Sequence, residues 1–214
     1  MKIVSIILAR GGSKGIPKKN IININGKPLI QYSIEASHKS CVKNCWVSTD
    51  CSEIKQIAHS LGADVLDRPK NLATDTASSD DVLVHFSKHV DFDILVFIQP
   101  TSPLIQSKDI DAGLDLLLNS IESYDSLFSC CKEHWIPRWS LDIKPYNWDI
   151  MNRPRRQDMP EQLVENGAFY ITTKKQLLQS QLRYGGKIGY LEMPLYRSFQ
   201  IDTLDDIELI KKIL

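Results

Sequence analysis

Arg10, Lys14 and Lys19 fall within ten residues that also contain Gly11, Gly12, Ser13 and Gly15. Glycines let a backbone turn tightly and face its N–H groups toward an anion, and Arg and Lys supply donors with no acceptor to repel one. The apolar run Ile3 to Ala9 leads straight into this loop, and a strand end is where such a cradle belongs. The string ARGGSKGIPKKN is neither GxxxxGK[ST] nor GxGxxG, so its composition indicates phosphate binding without naming a reaction. A solvated basic loop is the other reading of the same residues.

Other reactive side chains form no such group. Five cysteines (Cys41, Cys45, Cys51, Cys130, Cys131) are odd in number and hold no CxxC pair, so they read as reduced thiols. The spacing of Cys41, Cys45 and Cys51 fits no common zinc pattern. His85 and His89 stand four apart, but Phe86 occupies the place of a metalloprotease glutamate, so the pair reads as a solvated helix face.

Apolar β-branched segments alternate with helical patterns, which predicts an α/β layered fold. Strands are expected at Ile3–Ala9, Cys45–Ser48, Ala63–Leu66, Ile94–Ile98, Ser126–Cys130, Ala168–Thr172 and Ile188–Glu192. The run Ile94-Leu95-Val96-Phe97-Ile98 lacks polar alternation, as a central strand buried on both faces does. Helices are expected at Leu29–His38, Ser52–Leu61, Ser79–His89, Lys108–Ser120, Lys174–Gln181 and Leu204–Ile213. The last places Leu204, Ile207, Ile210 and Ile213 on one stripe that should pack on the sheet, with Thr203 and Asp206 as its cap. His134 to Pro160 departs from this regularity, gathering Trp135, Trp139, Trp148, prolines and Arg153, Arg155 and Arg156. It reads as an arm whose aromatics suit a subunit interface or pack back on the parent domain.

The chain of 214 residues, 43% hydrophobic and 24% charged, is expected to fold as one domain over 1–214 with an arm at about 134–160. Its 26 basic and 26 acidic residues leave a formal net charge of zero, so whole-protein attraction to nucleic acid or an anionic membrane has no basis. No apolar run approaches the roughly 20 residues of a membrane span, and no signal-peptide pattern follows Arg10, so a cytoplasmic location is expected.

The full string LARGGSKGIPKKN resembles the opening motif of the CMP-sialic acid synthetase (acylneuraminate cytidylyltransferase) family. Further family-like segments follow in order: VSTD at Val47–Asp50, RPKNLATDTASS at Arg68–Ser79, QPTSPL at Gln99–Leu104, RPRRQDMPEQLVENGAFYI at Arg153–Ile171 and IDTLDD at Ile201–Asp206. The resemblance implies a three-layer α/β/α sandwich with a mostly parallel, Rossmann-like sheet of the nucleotide-sugar transferase type. It implies a homodimer joined through an extended arm. It also implies the reaction of CTP with a nonulosonic acid, giving CMP-nonulosonate and pyrophosphate, with Mg²⁺.

By the same resemblance, Arg10, Gly11, Gly12, Ser13, Lys14 and Lys19 surround the triphosphate, and Asn20, Arg68 and Ser79 surround cytosine and ribose. Gln99, Asn166 and Tyr170 lie near the acceptor sugar, and Arg156 engages its carboxylate or a phosphate from the arm side. Arg68 in a plain salt bridge, Ser79 as a helix cap and Tyr170 as core are the structural alternatives. Asp202 is the expected Mg²⁺ ligand, because Mg²⁺ favours one or two carboxylates with phosphate oxygens and water; capping the last helix is its alternative role. Arg10, Lys14, Lys19 and Asp202 form the expected catalytic set.

Two departures from the family pattern stand out. Val164 and Glu165 precede Asn166 where some bacterial members have an arginine, and RPRRQD with ENG is closer to the animal-type enzymes. Gln200-Ile201-Asp202 stands where many members have Asp-Ile-Asp, and the Gln200 amide can coordinate through oxygen or hold a metal-bound water but cannot offset charge. Two other functions fit the same elements: nucleotidyl transfer to another acceptor such as an octulosonic acid, and an inactive nucleotide-binding module. The complete charge set of Arg10, Lys14, Lys19 and Asp202 disfavours the latter.

Overall fold

The computed structural model describes all residues, Met1–Leu214. A seven-stranded sheet runs in the order β5-β4-β1-β6-β8-β7-β9. These strands are β1 (Ile3–Leu8), β4 (Asn44–Thr49), β5 (Asp64–Asp67), β6 (Ile94–Ile98), β7 (Ser126–Glu133), β8 (Gln162–Thr173) and β9 (Ile188–Glu192). Within this sheet only the pairs β6–β8 and β7–β8 are antiparallel. A two-stranded hairpin, β2 (Asn23–Ile24) with β3 (Lys27–Pro28), stands apart from the sheet.

Six helices complete the fold: α1 (Leu29–His38), α2 (Ser52–Ser60), α3 (Ser79–His89), α4 (Ser107–Asn119), α5 (Lys174–Ser180) and α6 (Leu204–Ile213). Alternation along the buried strands separates two cores, since successive side chains point to opposite faces. Ile94, Val96 and Ile98 of β6 pack with Ile34 of α1, Ile54 of α2 and Ile110 of α4. Leu95 and Phe97 pack with Leu83 and Phe86 of α3 and Leu177 of α5. The result is the expected α/β/α sandwich, with β6 at the sheet centre and every residue buried. No helix is long and apolar enough to cross a membrane.

The last helix departs from expectation. Both sheet faces are already covered, so Ile207 and Ile210 of α6 pack instead against Ile16, Ile24, Leu29, Leu104 and Ile201, and Leu204 stays exposed. Thr203 and Asp206 do form a capping box.

The segment leading into α6 is anchored by a buried ion pair. Arg197 donates to both carboxylate oxygens of Asp109, and Asp109 also accepts from the Gln106 backbone at 2.9 Å as part of the α4 capping box. Asp109→Ala would strand a buried guanidinium and uncap α4, so a loss of about 3–5 kcal/mol in urea unfolding is expected. A loss under about 1 kcal/mol would show the pair to be dispensable.

Candidate active site

A cleft of about 440 Å³ opens at the carboxyl ends of β1 and β6. From β1 the chain proceeds to β4 and β5 on one side, and then returns to place β6 on the other. That reversal of strand order is where open α/β sheets bind ligands. Arg10, Ser13, Lys14, Lys19, Asn20, Arg68, Ser79, Gln99 and Asp202, expected from sequence, all line this cleft.

Local contacts explain how each is held. The Gly11 N–H donates to the Asp50 carboxylate at 2.8 Å, pinning the loop after β1 to the end of β4. A Cβ on Gly11 would lie 2.9 Å from Cys51 Cβ, so only glycine allows this approach. Gly11 and Gly12 belong to the same loop but are not among the residues lining the cleft. The Asn20 amide is buried and donates to the Arg10 carbonyl at 3.0 Å, tying the two ends of the loop together.

The cations point into one region and are paired in place. Arg10 meets Asp75 at 3.0 Å and Lys14 meets the other oxygen of Asp75 at 3.2 Å. Lys19 contacts Asp202 at 3.0 Å and the Ile201 carbonyl at 3.2 Å. Arg68 is buried, with its guanidinium donating to the Ser48 hydroxyl at 3.2 Å and the Ser48 carbonyl at 2.7 Å. It meets no carboxylate, so the salt-bridge alternative fails. Burial, with Arg10 nearby, holds its pKa down at about 10 against the pull of Asp50, and it stays charged at neutral pH.

Both capping alternatives are resolved as well. Ser78 caps α3 by accepting from the Asp81 N–H, so Ser79 is free of that task and faces the cleft. The α6 cap belongs to Thr203 and Asp206, and the Asp202 carboxylate is two-thirds exposed beside Lys19. A hard cation fits here. Asp202 offers a largely exposed carboxylate next to the cationic cradle, the kind of single donor that a metal otherwise held by phosphate oxygens and water would use, and it forms no cluster with other Asp, Glu, His or Cys side chains. Cys41, Cys45 and Cys51 form no metal group either.

Three expected acceptor contacts are placed elsewhere. Asn166 lies in an irregularity where the β7–β8 register shifts, next to Gly167 with φ of +63°. Its amide oxygen accepts from the Ser129 hydroxyl at 2.6 Å and the Ala168 N–H at 3.1 Å, and its NH₂ donates to the Ser198 hydroxyl at 2.9 Å. Those bonds hold the bulge open and leave Asn166 only 3% exposed and out of the cleft. Tyr170 is core: its ring stacks on Phe97 at 5.5 Å, its hydroxyl donates to Glu165, and burial raises its pKa well above the ordinary range. Arg156 sits in a one-turn 3-10 segment of the arm, exposed and away from this cleft.

Gln200 is likewise engaged. Its NH₂ donates to the Asn166 carbonyl, and its amide oxygen accepts from Thr101 at 3.4 Å. A Cβ at Gly167 would collide with this side chain. Gln200 thus clamps the bulge of β8 to the loop after β6, in place of the metal contact its sequence position left open.

A family model described as Cytidylyltransferase matches residues 4–213. The chain belongs to the cytidylyltransferase family. Within the family it is 41% identical over 210 residues to N-acylneuraminate cytidylyltransferase A of Danio rerio, which covers 94% of the chain and 48% of that protein. It is 33% identical over 215 residues to N-acylneuraminate cytidylyltransferase of Escherichia coli O18:K1:H7, covering 97% of the chain and 51% of that protein. The chain therefore spans about half the length of the curated relatives it matches. Among solved structures, CMP:2-keto-3-deoxy-manno-octonic acid synthetase superimposes with a TM-score of 0.75 at 21% identity, covering 100% of this chain and 98% of that one. At that identity it shows the shared fold.

The cytidylyltransferase cleft also contains residues that sequence reasoning passed over. Asp75 lies inside the RPKNLATDTASS stretch and Thr101 inside QPTSPL, so both were within motifs of which only the first or last residue was singled out. Arg183, which lies outside the cleft lining, had no sequence signal. It forms a forked pair with Asp80 at 3.0 and 3.1 Å while its guanidinium lies 5.1 Å from the Tyr170 ring centre, joining the first turn of α3 to the floor of β8.

Proposed function

We propose that this chain transfers the cytidylyl group of CTP to the anomeric hydroxyl of a nonulosonic acid, such as N-acetylneuraminic or legionaminic acid, releasing pyrophosphate. The observation that carries this reading is the convergence of Arg10, Lys14 and Lys19 on one cleft at the switch point of the sheet. Attack on the α-phosphorus spreads charge over the phosphate oxygens, so catalysis is chiefly positioning and electrostatic stabilisation. Arg10 and Lys14 would bind the phosphate chain, and Lys19 would neutralise charge beside Asp202. Mg²⁺, held by Asp202 and phosphate oxygens, would screen the triphosphate and polarise it toward attack. Gln99 would contact the acceptor at the end of β6.

The names of the relatives favour an N-acylneuraminate-type acceptor over an octulosonic acid, because the octonic acid synthetase shares only 21% identity. Residues 1–214 would act as one domain, and a cytoplasmic location belongs to the same proposal. Pyrophosphate release assayed with CTP and a panel of sugar acids tests it, and no release with any nonulosonic acid would refute it.

Nucleotide choice is assigned to Asn20, Arg68 and Ser79. Uracil exchanges donor for acceptor at one edge of the base, and a mismatched buried partner costs about 1–3 kcal/mol. CTP is therefore expected to exceed UTP in kcat/KM by at least about tenfold. Equal values would remove the cytosine assignment.

The arm carries the dimer proposal. Residues 134–161 connect β7 to β8 with only two isolated bridges and the 3-10 turn at Arg156–Asp158. Trp135 packs back and is buried, whereas Trp139, Leu141, Ile143, Tyr146 and Met151 are exposed. So much apolar surface on an irregular arm favours a second subunit, and Arg156 would then reach that subunit's cleft. Light scattering at micromolar concentration is expected to give a dimer mass, and a fully active monomer would contradict it.

A further inference from the structure

We propose that Asp75 is an internal counter-ion of the cradle, displaced when a phosphate chain binds and returning to Arg10 and Lys14 as pyrophosphate leaves. The proposal rests on the reading of Arg10 and Lys14 as phosphate ligands. Asp75 lines the cleft and bridges the two cations, one carboxylate oxygen on each, at 3.0 and 3.2 Å. Two oxygens of a phosphate chain would occupy the same donors. A carboxylate and a phosphate held on the same pair of cations repel each other, so one excludes the other.

The loop that carries Asp75 is built to let go. Residues 74–77 join the rest of the protein by only three polar contacts outside the loop, the two Asp75 ion pairs and a 2.6 Å bond from Arg10 to the Thr74 carbonyl. Their other hydrogen bonds, Thr74 with Thr76 and the Ala77 N–H to Thr74, are internal and travel with the loop. Beyond it the Ser78 cap fixes the start of α3, so displacement of Asp75 leaves Ser79 where it is. The cations involved are partly exposed, and exposed pairs are weak enough for a highly charged ligand to break. Asp75 thus weakens the hold on pyrophosphate and speeds its exchange, and it keeps the cations apart from solvent anions between turnovers.

Calorimetric titration of inorganic pyrophosphate, with and without Mg²⁺, into the wild type, Asp75→Asn, Asp75→Glu and Arg10→Ala tests this. Asp75→Asn is expected to bind pyrophosphate about three- to tenfold tighter, and to be inhibited by it at correspondingly lower concentration during turnover. Asp75→Glu restores the competing charge and should approach the wild type, and Arg10→Ala should lose most of the affinity. Unchanged or weaker binding by Asp75→Asn, with wild type binding and Arg10→Ala not, would overturn the proposal alone. Weakening confined to Mg²⁺-containing buffer would make Asp75 a metal ligand and overturn it too. Failure of the wild type to bind pyrophosphate would instead overturn the phosphate cradle on which the proposal stands.

Discussion

Asp202→Asn is expected to lower turnover about a thousandfold at saturating Mg²⁺, equivalent to about 4 kcal/mol of transition-state stabilisation. The carboxylate lies in the cleft beside Lys19, is two-thirds exposed, and takes no part in the α6 cap. Folding should be unaffected, since the Asp202 side chain contacts only Lys19 and its exposed ion pair contributes about 1 kcal/mol or less. Activity should also depend strictly on a divalent ion. Gln200→Ala is expected to cost less, because Gln200 acts on the β8 bulge and not on charge. If Asp202→Asn kept most of its turnover with Mg²⁺ saturating and an unchanged melting temperature, the metal would have to be held elsewhere.

Arg10→Ala should reduce kcat/KM at least about a hundredfold, or about 2.7 kcal/mol, through loss of one charged donor to the transferring phosphate chain. Arg10 contacts only the Thr74 carbonyl and Asp75 through its side chain, and neither contact supports the core. A melting temperature close to that of the wild type is therefore expected alongside the lost activity. A folded variant with near-normal kcat/KM would remove Arg10 from the mechanism.

Much of this architecture is legible in the sequence because the sheet is buried on both faces. β6 and β9, and the helices α1, α3 and α6, begin and end at the residues that apolar runs and cap signals indicate. The strands β7 and β8 extend beyond the apolar segments as a ribbon through Lys132, Glu133 and Gln162, where backbone pairing continues after burial has stopped. A pattern of hydrophobicity carries no trace of that pairing. The β2–β3 hairpin has only two residues per strand, yet Asn25-Gly26, with φ of 48° and 88°, is a turn signal that identifies it in retrospect.

The phosphate side of the site was legible for a similar reason. Arg10, Ser13, Lys14, Lys19 and Asn20 sit on one short loop, so their proximity follows from chain connectivity. The residues expected at the acceptor come instead from separate segments, Gln99 after β6, Asn166 and Tyr170 on β8 and Arg156 on the arm, and only Gln99 lines the cleft. Asn166 illustrates the difficulty: an asparagine before a glycine reads equally well as a ligand contact or as the support of a bulge, and only the bonds to Ser129, Ala168 and Ser198 decide. Arg183 and Asp80 lie 103 positions apart, and nothing local links them.

The central claim is that this cleft joins cytidine monophosphate to a nonulosonic acid. Its most direct test is mass spectrometry of the product formed from CTP, Mg²⁺ and N-acetylneuraminic or legionaminic acid. The account predicts a CMP-linked sugar acid, formed one for one with pyrophosphate by the wild type and absent with Arg10→Ala. Recovery of CTP and both sugar acids unchanged, from wild-type protein shown to bind CTP, would contradict it.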